Sequence, residues 1–136
     1  MESDRLVELA ASLKYNTCIQ RLNLSSNSVD NEFVKELANS LKTNSTLRVL
    51  DLSHNKISNT GAYYLAEALK ENKGLYELNL NWNGIGMSGA KKLAEAVSGN
   101  EALHLLRLVS YNSNVNKERF EKYIHKLDLK TCTILL

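Results

Sequence analysis

The sequence predicts an α/β solenoid of stacked strand–helix repeats, and three observations carry the prediction. A pattern of leucines closed by an asparagine returns every 28 residues. Within each copy the leucines alternate, as the buried side of an extended strand does. Between copies the apolar residues switch to helical spacing, so each period holds one strand and one helix.

The strand signal has the form L-x-x-L-x-L-x-x-N. It begins at Ile19 with Leu22, Leu24 and Asn27, returns at Leu47 with Leu50, Leu52 and Asn55, and again at Leu75 with Leu78, Leu80 and Asn83. A fourth copy keeps Leu103, Leu106 and Leu108 but puts Tyr111 in the asparagine slot and Asn112 one place late, a departure expected of a terminal repeat. Thr131, Ile134 and Leu136 fall on the first, fourth and sixth positions of a fifth strand. An asparagine amide both donates and accepts, so a column of Asn27, Asn55 and Asn83 is expected to satisfy backbone groups where the chain turns inward and to stitch neighbouring coils.

The helices follow from a second set of columns. Ala62, Leu65, Ala66 and Leu69 occupy one helical face, and the same columns recur as Leu6, Leu9, Ala10, Leu13; Val34, Leu37, Ala38, Leu41; and Ala90, Leu93, Ala94, Val97. The small alanines let helix and sheet approach closely. Asn16, Asn44, Asn72 and Asn100 repeat just past the helices, where a left-handed residue commonly ends one, and they read as helix stops. Gly61 and Gly89 enter the two central helices where Phe33 stands in the earlier copy, as packing or turn residues. Lys35, Glu36, Glu67, Lys70, Lys91, Lys92 and Glu95 lie between the apolar columns and form a solvated outer face. Near the end, Phe120, Ile124 and Leu127 make one more helical stripe.

An aliphatic residue follows each asparagine by two places (Val29, Ile57, Ile85), and a glycine stands four beyond that (Gly61, Gly89). With these features the chain resembles leucine-rich repeats of the ribonuclease-inhibitor type, and it is similar to the repeat regions of NOD-like receptors, the Ran GTPase-activating protein and tropomodulin. The resemblance runs from a half-repeat helix near Ser3 to the end of the chain. It implies a right-handed horseshoe segment of about four repeats, with parallel strands on the concave side, helices on the convex side, and stability that comes from stacking. One domain then spans residues 1–136: an N-terminal half-repeat helix at 1–17, strand–helix repeats at 18–111, and a C-terminal cap helix with a short terminal strand at 112–136. The fifth strand is either a short native terminus or a cut from a longer array.

Composition narrows the function. A chain of 136 residues with 43% hydrophobic content can build one core without a metal or disulfide staple. Its formal charge of +2, from 17 basic and 15 acidic residues mixed along the chain, lacks the basic stripe of a nucleic-acid binder. No secretory leader and no membrane-length apolar run are present, and Cys18 and Cys132 near opposite ends do not form a disulfide framework, so a cytoplasmic protein is expected. Asn23 and Asn44 open glycosylation-type triplets, a pattern short enough to arise by chance. His54, His104 and His125 occupy unrelated repeat positions, and no phosphate loop, nucleophile elbow or Cys–His signature occurs. No metal, cofactor or catalytic residue is expected.

The resemblance implies a module that binds another protein through its concave strand face. Strand residues turned away from the core form two columns, Arg21, Val49, Glu77, Leu105 and Asn23, Asp51, Asn79, Arg107. Beside them run Ser25, Ser53, Asn81, Val109 and then Ser26, His54, Trp82, Ser110. Trp82, the single tryptophan, is the expected centre, because aromatic and arginine side chains are enriched among binding hot spots; Arg48 and Tyr76 join the surround. Two other readings stand beside this one. One is a regulator of a small GTPase resembling the Ran GTPase-activating protein, although none of that family's functional positions can be matched here. The other is self-association through the strand edge at Thr131 to Leu136.

Overall fold

A computed structural model describes residues 2–109, 115–129 and 132–136, with the side chains of the first two left aside; Ser110, Tyr111, Asn112 and Thr131 lie outside the described residues. Helices and strands alternate as α1 (Glu2–Ser12), β1 (Arg21–Asn23), α2 (Asn31–Leu41), β2 (Val49–Asp51), α3 (Asn59–Glu71), β3 (Glu77–Asn79), α4 (Met87–Ser98), β4 (Leu105–Arg107), α5 (Lys117–Ile124) and β5 (Thr133–Leu135). The five strands form one parallel sheet in chain order. Its register is the sequence period itself, since Leu22, Leu50, Leu78, Leu106 and Ile134 are successive partners. Parallel neighbours require a crossover, and the helix in each period supplies it.

The middle residue of β2, β3 and β4 is buried while its neighbours are half-exposed, so the sheet covers its leucines with helices and leaves the opposite face open. Leu47, Leu50 and Leu52, their counterparts in the next two coils, and the four helix columns make one continuous core. Ala10, Ala38, Ala66 and Ala94 are all buried. At the ends the burial weakens: Leu6, Leu9, Leu22 and Ile134 are only partly covered.

The asparagines past the helices are not left-handed stops. Asn72 has φ −71° and ψ 133°, an extended backbone, and the side chains of Asn44, Asn72 and Asn100 are buried. Asn72 donates from Nδ2 to Leu41 O at 2.7 Å and Asn44 O at 2.9 Å in the preceding coil, and its Oδ1 accepts from Gly74 N at 3.0 Å and Leu75 N at 2.8 Å. Asn44 and Asn100 make the same four bonds one coil earlier and later. Each side chain thus satisfies a carbonyl at the end of the previous helix, a group the helix leaves without an internal partner. Burial also closes the Asn44 triplet to modification.

The expected column after the strands holds at two of its three positions. Asn55 donates to Leu24 O at 3.0 Å and accepts from Asn27 N and Val29 N; Asn83 donates to Leu52 O at 2.9 Å and accepts from Ile57 N. Asn27 departs from the expectation: it is exposed and bonds within its own turn, to Ser25 O at 2.8 Å, because β1 is the first strand of the sheet.

A third set of asparagines caps helices across coils. Asn31 Oδ1 accepts from Ser58 N at 3.1 Å and Gly61 N at 3.0 Å, and Asn59 Oδ1 accepts from Gly86 N at 2.8 Å and Gly89 N at 3.0 Å. A Cβ on Gly61 would sit 2.5 Å from Asn31 Oδ1, and one on Gly89 would sit 2.6 Å from Asn59 Oδ1. These glycines therefore admit the capping side chain of the previous coil; they serve close packing and not a turn. In the sequence the earlier copy of this pair is Ser3 with Phe33, where no asparagine asks for the space.

Candidate functional site

The open face of the sheet brings the predicted columns into single rows. Arg21, Val49, Glu77, Leu105 and Thr133 are register partners, as are Asn23, Asp51, Asn79, Arg107 and Leu135. Arg21 and Asn23 are exposed, and the six predicted residues on β2 to β4 are half-buried. Arg107 Nε donates to Glu77 Oε1 at 3.3 Å, linking the two rows across adjacent strands.

Not every residue of those rows is free for a partner. Asn23, Asp51 and Asn79 each accept at Oδ1 from the N–H two residues on, at 2.9 Å, and Asn23 and Asp51 also accept from the hydroxyls of Ser25 and Ser53. These are Asx turns that end the strands. Ser53 is buried. Arg107 cannot accept a hydrogen bond, so Val109 N turns instead to Asn81 Oδ1 of the preceding coil at 2.8 Å. Asn79 and Asn81 hold the loop as well as lining the face.

His54 and Trp82 lie in the loop that leaves the strands, along one rim of the face. Ser26, His54 and Trp82 have φ of 56°, 55° and 60°, the left-handed region that bulky side chains rarely occupy. Their N–H groups bond to Ser53 O, Asn81 O and Val109 O of the next coil, which fixes the conformation by stacking. The rings of His54 and Trp82 are 6.0 Å apart at 29°. With Ser26, Ser28, Asn55 and Lys56 they line a shallow groove of about 440 Å³.

The opposite rim carries Arg48 and Tyr76 together with His104, which sequence reasoning left out. Tyr76 and His104 stack with centroids 4.3 Å apart at 15°, and Arg48 Nη1 donates to Gly74 O at 2.9 Å. The signal for His104 was available, since it stands one period after Tyr76. Among the described residues, no group of three or more His, Cys, Asp and Glu is placed to hold a metal ion, and no helix is long and apolar enough to cross a membrane.

Comparison with known proteins bears on the fold. The sequence profile of the family described as Leucine Rich repeat matches residues 15–38, 43–66 and 72–94. No characterised protein matches in a sequence comparison. Among solved structures, the chain is similar to that of leiomodin-1 actin-binding site 2, with 23% identity and a TM-score of 0.84 over 97% of this chain and 76% of that one. It is also similar to the tropomodulin C-terminal domain of Caenorhabditis elegans, with 13% identity and a TM-score of 0.78 over 99% of this chain and 81% of that one. At such identities the likeness is one of fold.

Proposed function

Because the chain belongs to the leucine-rich-repeat family, we propose that it binds another protein, which seats on the concave strand face between the Trp82 rim and the Tyr76 rim. The observation that carries this reading is the placement of Trp82, whose ring lies at the rim of the open strand face. A bulky ring stands there although the left-handed turn, shared with Ser26 and His54, costs a residue with a Cβ about 1–2 kcal/mol. Trp82 stacks on His54 beside an open groove, and the other rim offers the half-exposed ring of Tyr76. Such aromatic anchors supply most of the binding energy at an interface, while Arg21, Glu77 and Arg107 between them orient the partner.

Actin is the partner to test first, since the leiomodin-1 region of like fold is an actin-binding site. The assay is cosedimentation with filamentous actin and sedimentation velocity with monomeric actin, using wild type, Trp82→Ala, Arg107→Ala and Lys35→Ala. The reading expects Trp82→Ala to weaken binding by about 2 kcal/mol or more and Lys35→Ala, on the helical side, to leave it unchanged. Loss in Lys35→Ala with normal binding by both face variants would move the site to the helices. Absence of binding to either form removes actin as the partner.

A further inference from the structure

On the far side of the molecule, between α4 and α5, lies a groove lined largely by cations. Arg119, Lys122 and Tyr123 of α5 and Lys126 in the turn after it are spaced i, i+3, i+4 and i+7, which puts them on one stripe. Met87 and Lys91 face them from α4, and the six residues line a groove of about 230 Å³. Four of the six are cations and none is a carboxylate. The groove between α2 and α3 offsets Lys35 and Lys42 with Glu36 and Glu67, as expected of a chain with 17 basic and 15 acidic residues.

Glu95 of α4 and Glu118 of α5 are already engaged. Glu95 accepts from Tyr123 Oη at 2.6 Å and stands 3.8 Å from Lys92 Nζ, and Glu118 pairs with Lys122 at 3.3 Å. Lys91 Nζ sits 5.0 Å from the centre of the Tyr123 ring, which orients the ammonium without neutralising it. Among the described residues no ion pair engages Lys91, Arg119 or Lys126. Burial, and then the bond to Glu95, pushes the Tyr123 hydroxyl up to about 12, so it stays a neutral donor committed to Glu95. Clustered cations repel one another, and a multivalent anion reverses that penalty.

We propose that this groove binds a small ligand carrying clustered phosphate groups, with Arg119 and Lys126 as the principal grips and Lys91 and Lys122 beside them. Phosphate offers several acceptor oxygens at once and suits the planar fork of arginine. The cations converge from two helices on one groove of about 230 Å³, whereas an extended acidic chain would call for basic residues running across several coils. The proposal is independent of the strand-face reading, because it uses the opposite side of the repeat array.

The test is calorimetric titration of the intact chain with inositol hexakisphosphate at physiological ionic strength. In parallel, flotation is measured with phosphatidylcholine vesicles with and without phosphatidylinositol bisphosphate. Arg119→Gln/Lys126→Gln is compared with Lys35→Gln/Lys42→Gln, circular dichroism confirming that both fold. Saturable binding is expected, weakened at least about tenfold in the first pair and unchanged in the second. Vesicle binding with the same sensitivity assigns the phosphates to a lipid headgroup; binding of the soluble probe alone assigns them to a free metabolite. Equal loss in both pairs means diffuse charge and overturns the site, as does a wild type inert to both probes. Binding of a polyglutamate peptide with the phosphate probe inert overturns it in favour of an acidic polypeptide.

Discussion

Replacing Asn72 with alanine tests the load carried by the buried asparagines. Asn72 is 4% exposed, and its loss frees four groups, Leu41 O, Asn44 O, Gly74 N and Leu75 N, all on buried residues. A buried polar group without a partner costs about 1–3 kcal/mol, so the low end for each of the four gives about 4 kcal/mol. Domains are commonly stable by only about 5–15 kcal/mol, so this is a large fraction. For a chain of this size the thermal midpoint should fall by roughly 10–20 °C. The measurement is thermal and urea unfolding followed by far-UV circular dichroism. Asn72→Asp is the sharper variant: it keeps both accepted bonds but sets carboxylate lone pairs against the Leu41 and Asn44 carbonyls, and should be at least as damaging as alanine. Asn27→Ala, exposed at the first strand, should cost less than about 1 kcal/mol. Asn72→Ala within about 0.5 kcal/mol of wild type would refute the argument, as would an equal loss in Asn27→Ala.

Leu50→Ala and Leu78→Ala, both fully buried, should each cost roughly 2–5 kcal/mol in the same unfolding assay. Gly89→Ala forces a methyl against Asn59 Oδ1 and should destabilise by about 1–3 kcal/mol. In the Asn59→Ala background the contact with Oδ1 disappears and the 3.0 Å approaches to Ala62 Cβ and Ile85 Cγ2 remain, so a double-mutant cycle should show coupling, and simple additivity would contradict the cross-coil cap. Trp82→Gly should be more stable than Trp82→Ala by about 1 kcal/mol, because only glycine adopts that backbone without a Cβ penalty; equal midpoints would mean the position is unstrained. Burial pushes the Cys132 thiol up to about 11, so near about pH 8 it stays protonated and resists iodoacetamide while exposed Cys18 reacts. Peptide mass spectrometry should find Cys132 modified only as the pH approaches its raised value or the chain unfolds.

The architecture is legible in the spacing of the residues. A period of 28 residues implies that Leu50 stacks on Leu22 and Leu78, that Ala66 faces the sheet, and that Glu77 and Arg107 belong to adjacent rows of one face, because in a stacked array equal repeat position means equal place in space. The roles of the polar residues emerge from the stacking of the coils. Asn72 does close α3, but a local reading gives it a left-handed backbone because it sees only neighbours in the chain, whereas the carbonyl partners that its side chain reaches lie 28 and 31 residues away. Gly61 and Gly89 gained their reason from Asn31 and Asn59 in the previous coil, and Trp82 gained its left-handed backbone from a bond to Val109 O in the next. The basic groove arises where α5 lays its stripe against Lys91 of α4, an adjacency between helices rather than a pattern within either. Periodicity specifies which residues share a column; hydrogen bonds and charge clusters depend on distances between coils, and those exist only once the coils are stacked.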